Sequence, residues 1–244
     1  TFTERNKRVN SVYGTATLSY ANKIFLDVTG RNDWSSTLPS GNNSFFYPSV
    51  STSFILSDLL RLPEQISFAK LRASWAQVGN DTDPYKTAKY YNTSAFPGSA
   101  SVSPTLYNAR FKPEISNSIE VGLDWRMFKQ RFGLDLAFYN NITRNQILDV
   151  PMDQTTGYTK ATMNSGKVRN RGIELQLDGT PVKTKNFTWN STFTWAKNYN
   201  KVLSLAAGLT DGQTIAYTGG TNCALIAKVG GSIGDIYGYK LKRA

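Results

Sequence analysis

Hydrophobic and polar residues alternate along most of this chain with a period of two. From Ile119 to Met127, the residues Ile119, Val121, Leu123, Trp125 and Met127 fall on one side. Glu120, Gly122, Asp124 and Arg126 fall on the other. Successive side chains of a β-strand point to opposite faces, so this pattern predicts a strand with one apolar and one charged face. Further strands are predicted over Val12–Tyr20, Lys23–Arg31, Tyr47–Leu56, Ser67–Val78, Phe132–Asn140, Gly172–Asp178, Phe187–Lys197 and Ile233–Leu241. In the second of these, Ile24, Leu26 and Val28 oppose Phe25, Asp27, Thr29 and Arg31. The chain is therefore all-β, with about nine strands.

Alternation alone fits a soluble sandwich as well as a membrane barrel. The connections separate the two. They run short (Ala21-Asn22), long (32–46), moderate (57–65), long (79–116), short (129–131), long (141–168), short (180–186) and long (198–232). Outer-membrane barrels join their strands by short periplasmic turns and longer extracellular loops, whereas a sandwich has no reason to alternate. Aromatic residues sharpen the distinction. Tyr20, Trp125 and Trp189 sit at short-turn ends, and Tyr47, Trp75 and Trp195 at long-loop ends. These make two girdles, one for each membrane interface.

Composition agrees with this reading and narrows the chemistry. Aromatics make up 13% of the 244 residues, and no apolar run is long enough for a transmembrane helix. The absence of histidine removes Ser-His-Asp and Cys-His catalysis and most zinc sites. A single cysteine, Cys223, allows no internal disulfide. The net charge is +11, but the cations are spread along the chain and match no nucleic-acid-binding motif. No cofactor, metal site or nucleic-acid partner is expected. Glu120 and Asp124 lie two pleats apart on one face, facing a solvated lumen, and do not read as a glycosidase pair. Gly230-Gly231-Ser232-Ile233-Gly234 lacks the lysine of a phosphate-binding loop.

Candidate functional residues fall in two groups. Asp27, Arg31, Lys70, Arg72, Glu120, Asp124, Arg126, Asp135 and Glu174 are expected on the lumen face. Ion pairs between neighbouring strands, such as Glu120 or Asp124 with Lys70 or Arg72, would stiffen the wall there. Trp34, Phe45, Phe46, Tyr90, Tyr91 and Tyr107 lie in or beside the long loops. Aromatic faces of that kind can hold sugar rings or peptide side chains, pack the loops, or meet a partner protein.

Five segments, in order, resemble the SusC/RagA family of TonB-dependent outer-membrane transporters, typical of Bacteroidetes. They are Gly30-Arg31-Asn32-Asp33-Trp34-Ser35-Ser36-Thr37-Leu38-Pro39, Leu71–Asp81, Phe111–Asp124, Asn164–Leu175 and Ile236–Lys240. The resemblance implies a 22-stranded barrel in the bacterial outer membrane with an N-terminal plug. It implies energy delivered by TonB, a SusD-like surface lipoprotein over the mouth, and cargo that is oligosaccharide or peptide. Paired barrels are common in the family. All 244 residues are expected to form part of one barrel domain, without plug, TonB box or terminal strand. Nutrient import, not catalysis, is the implied function. The alternative is a barrel that serves as a structural or docking component of a larger surface assembly.

Overall fold

The structure is a computed structural model that describes residues 4–89, 91–93, 96, 98–205, 212–218 and 223–238. Its main feature is one antiparallel eight-stranded sheet: β1 (Val9–Tyr20), β2 (Ile24–Ser35), β3 (Ser44–Ile55), β4 (Ile66–Asn80), β5 (Glu114–Met127), β6 (Phe132–Arg144), β7 (Lys167–Lys183) and β8 (Thr188–Ser204). Strand order in the sheet is the order in the chain. This is an up-and-down meander with every connection between neighbours. The described residues contain no helix long and apolar enough to cross a membrane, which says nothing against crossing by strands.

Strands outrun the apolar alternation at their long-loop ends. β7 was expected over Gly172–Asp178 but spans 17 residues, and β8 spans 17 as well. At about 3.4 Å per residue such a strand is about 58 Å long, well beyond the roughly 25 Å apolar band of a membrane barrel. The extra rungs are polar and are held by side chains. Asn200 Nδ2 donates to Asn170 Oδ1 at 2.7 Å, Asn32 Nδ2 to Ser44 Oγ at 3.0 Å, and Ser116 Oγ to Asn141 Oδ1 at 2.8 Å. Pairing thus continues into water because these amides and hydroxyls link neighbouring strands.

The register places the apolar residues on a single surface. One rung crosses all eight strands through Tyr20, Ile24, Phe54, Leu71, Leu123, Leu136, Leu175 and Trp195. It starts at a short-turn end and finishes in the long-loop girdle, so the strands are tilted. Trp75 shares its rung with Tyr199, which lies four residues beyond Trp195 on β8. Four residues along a strand are about 14 Å and four strand steps about 19 Å, which gives a tilt of about 35°. That is the tilt of a closed membrane barrel.

This surface is open to its surroundings. Leu18 is 65% exposed, Phe193 56% and Phe138 48%. A soluble protein would bury such a patch; lipid is the solvent that suits it. The largest fully buried side chains, Phe111, Val202, Ser35 and Ser165, lie instead at the long-loop end. Leu38, Phe45 and Phe111 form one cluster with Tyr47 and Ile147 packed against it. Val168, Val202 and Ala227 form another.

One expected wall strand does not join the wall. Within Ile233–Leu241, the described part forms only the strand Ile236–Gly238. This pairs with Cys223–Ala227, which pairs with Gln213–Thr218, in a separate small sheet. The free edge of β8 is met instead by a turn. Val202 N donates to Gly231 O at 2.8 Å, and Gly230 N to Val202 O at 2.9 Å. The turn therefore satisfies backbone groups that a ninth strand would have taken.

Candidate functional site

The lumen face is a polar sheet stitched across strands. Asp27 on β2 accepts Thr17 Oγ1 of β1 at 2.7 Å and Ser51 Oγ of β3 at 3.4 Å. Arg31 donates to Asp33 at 2.8 and 3.3 Å and to Ser11 Oγ at 3.1 Å. The Tyr47 hydroxyl also donates to Asp33, which joins β1, β2 and β3 near the loop end.

Arg72 is the centre of the lumen face. Its two terminal nitrogens bind Asp135 at 2.7 and 3.1 Å, a bidentate pair that spans from β4 to β6. The intervening residue on β5 is Gly122, opposite both Arg72 and Ala137. A side-chain carbon at Gly122 would collide with the guanidinium. Glycine is thus what lets the arginine cross its neighbour. Glu120 is a second, looser partner at 3.9 Å. The anticipated link between Lys70 and Asp124 does not form. The two are opposite in register, but Asp124 pairs with Arg126 on its own strand at 3.2 Å. The reason is reach: a planar guanidinium two residues along the same face arrives with Nε and one terminal nitrogen, at 3.2 and 3.4 Å. Glu174, Arg72, Glu120 and Asp135 line one shallow groove of about 320 Å³. Glu174 makes no ion pair or side-chain hydrogen bond among the described residues, which leaves it available as an acceptor.

Above this face, polar side chains tie the long loops together. Asp81 accepts Ser35 Oγ and the Lys7 ammonium. Glu114 accepts the backbone N–H of Ile147 at 2.6 Å and the Asn80 amide at 3.3 Å. The Asn164 side chain clamps two loops. It accepts from Lys112 N at 2.9 Å and donates to Lys112 O at 2.8 Å and Asn145 O at 2.9 Å. Asn42 Nδ2 reaches Phe111 O at 3.0 Å. Roles for Asp33, Asp81, Glu114 and Asn164 were not assigned from sequence, although all four lie in the resembling segments.

The loop aromatics divide. Phe45 is 8% exposed and stacks near Tyr47, with ring centroids 6.0 Å apart, so it packs the rim. Phe46 and Trp34 share the outward face with Asn32 and are 59% and 41% exposed. Tyr91 is well exposed on a small hairpin with Ala100–Val102. Tyr107 is half-buried just after the short strand Thr105–Leu106. Tyr90 lies outside the described residues. Tyr91 is thus the most exposed of these described loop rings, and Phe45 the most buried.

A tilted meander with a lipid-facing apolar band, a hydrogen-bonded polar lumen and braced loops on one side defines a segment of outer-membrane barrel wall. The TonB dependent receptor-like, beta-barrel model matches residues 1–241. The chain belongs to that family, a family of outer-membrane transporters and not of enzymes. TonB-dependent receptor P26 of Formosa agariphila is 33% identical over 207 residues, covering 81% of this chain and 21% of that protein. TonB-dependent receptor SusC of Bacteroides thetaiotaomicron is 26% identical over 228 residues, covering 85% of this chain and 22% of that protein. A solved structure of the RagAB peptide transporter superposes with a TM-score of 0.81 at 22% identity, over 92% of this chain and 25% of that one. The chain thus spans about a quarter or less of the length of these relatives.

Proposed function

We propose that this chain is the later-middle part of the barrel wall in a longer TonB-dependent importer, one that carries a bulky oligosaccharide or peptide across the outer membrane. The observation that carries this is the opposition of faces. The lipid side is apolar over eight strands, while the lumen side offers an acceptor, Glu174, that is unpaired among the described residues and lies on the same rung as Arg72 of the braced Arg72–Asp135 pair. A wide passage lined with hydrogen-bonding groups suits hydrated cargo. Likeness to SusC and to the RagAB peptide transporter favours those two cargo classes.

In the whole protein, a plug gated by TonB and a SusD-like lipoprotein lid would complete the machine, in a barrel of 22 strands that can pair with a second. Tyr91 and Tyr107, on loops at the mouth, would meet cargo or lid, while Phe45 holds the rim beneath them. Deletion of the gene is expected to abolish growth on one oligosaccharide or peptide source. Loss of the TonB-binding segment from the full-length protein should do the same. Uptake that survives removal of that segment would count against energised import. Normal growth on every nutrient, with an altered set of co-purifying surface proteins, would favour a docking role instead.

A further inference from the structure

The wall's charges are sorted by face. Every carboxylate of β4 to β8 is on the lumen side: Glu114, Glu120, Asp124, Asp135, Glu174 and Asp178. The opposite, lipid-facing parity turns basic where it leaves the bilayer. Arg144, Lys167, Arg169, Arg171, Lys197 and Lys201 occupy it at the long-loop ends of β6, β7 and β8. Register places Arg169 beside Lys201, Arg171 beside Tyr199 and Lys167 beside Arg144. By register the six occupy rows from Lys167 to Ile173 of β7, about 20 Å along the strands, and Arg169, Arg171, Lys197 and Lys201 lie within about 14 Å of that length. None makes an ion pair among the described residues. Arg169 Nε is buried with no hydrogen-bond partner among the described residues. A guanidinium nitrogen left so is costly unless an acceptor arrives.

Directly below the cations lies an apolar groove of about 570 Å³, lined by Ile119, Val121, Phe138 and Ile173, with Arg171 and Tyr199 among its other lining residues. The Lys197 ammonium sits 5.0 Å from the Tyr199 ring, which holds it at the top of the aromatic girdle. Cations over an apolar groove, at interface depth and with no ion-paired carboxylate among the described residues, complement an amphiphile with an anionic head and acyl tails.

We infer that this face binds a phosphorylated glycolipid of the outer leaflet. Its phosphates lie among Arg169, Arg171, Lys197 and Lys201, and an acyl chain lies in the groove beneath. Arginine suits phosphate because its planar fork donates two hydrogen bonds at once. The inference rests on the apolar face being lipid-facing, and it does not depend on what the transporter carries.

The test uses the intact full-length transporter, purified in mild detergent and examined by native mass spectrometry. It is incubated with bis-phosphorylated lipid A, dephosphorylated lipid A, or phosphatidylglycerol. Heat-modifiable gel mobility verifies folding of each variant. The parent should retain bis-phosphorylated lipid A through delipidation far better than the other two. A triple variant, Arg169→Gln, Arg171→Gln and Lys201→Gln, should retain it about tenfold less, since three charge contacts are lost. A control with Lys129→Gln and Lys185→Gln, at the short turns, should match the parent. Equal retention by the triple variant would overturn the proposal, and it is the outcome expected if a second barrel covers this face. Equal retention of dephosphorylated lipid A or phosphatidylglycerol by the parent would also overturn it. Nutrient uptake measured in parallel separates this site from the import reading, because loss of lipid retention with normal uptake fails neither.

Discussion

Single residues decide how far a charge can reach on the lumen face. Arg72 and Asp135 are on strands that do not touch, and their bidentate contact exists because Gly122 leaves the space between them empty. Both side chains are more than a third exposed or nearly so, so the ion pair itself is worth at most about 1 kcal/mol. A branched side chain at Gly122 adds steric displacement to that loss. Gly122→Val should therefore destabilise the barrel by about 1–3 kcal/mol. The measurement is the temperature at which the full-length barrel loses its compact gel mobility. Asp135→Asn, which weakens the pair without a clash, should shift that temperature less. If Asp135→Asn were as harmful as Gly122→Val, the space over Gly122 would not be what matters.

At the scale of elements, the loops behave as braced structures with their own electrostatics. The hairpin of Ile147–Pro151 with Lys160–Asn164 is closed by Asp149, which accepts from Lys160 Nζ at 2.7 Å and Thr162 Oγ1 at 2.6 Å. Partial burial, the largest single influence on Asp149, pushes its pKa up. Its bonds to Lys160 and Thr162 and the charges of Lys160 and Lys86 together outweigh burial and hold it below the ordinary value of 3.8. A carboxylate with a lowered folded-state pKa stabilises above the unfolded value and loses that contribution as pH falls through the lower one. Amide exchange in residues 147–164 should thus accelerate as pH drops below about 3.8, beyond the intrinsic pH trend. Asp149→Asn should show the faster exchange already at neutral pH and lose the acid step. An acid step that persists in Asp149→Asn would place the titrating group elsewhere.

The same scale shows what the sequence could reveal. Eight wall strands and their inside-outside parity were readable, because lipid and lumen impose opposite demands on alternate residues. Strand ends were not, since polar rungs such as Asn170–Asn200 look like loop until their partners are known. Ile233–Leu241 had strand-like composition, but Asn200 draws the preceding turn inward by accepting Ile233 N at 2.8 Å. A long-range contact of that kind leaves no periodic trace. The expected pairing of Arg72 with Glu120 forms, but loosely at 3.9 Å; its tighter partner, Asp135, was not readable because reach over a glycine depends on register.

Across the whole molecule the chain carries a net charge of +11, yet its lumen face is rich in carboxylates and its outer rim in cations. Solvent explains this segregation better than pairwise attraction does. Hydrated lumen tolerates either sign, the bilayer core tolerates neither, and the interface tolerates cations whose apolar stems lie along the wall. The arrangement predicts a sharp contrast between arginine placed on one face and on the other. Leu136→Arg puts a guanidinium on the apolar rung between Leu123 and Leu175. It should cost about 2–4 kcal/mol of barrel stability, as charge near the bilayer midplane does. Ser74→Arg puts the same group on the lumen face opposite Glu120 and Ser51. It should shift stability by about 0.5 kcal/mol or less, because it stays hydrated and gains a carboxylate neighbour. Urea titration of the full-length barrel refolded into phospholipid vesicles measures both. Equal losses would mean that the two faces do not differ in solvent, and the assignment of lipid and lumen would fail with them.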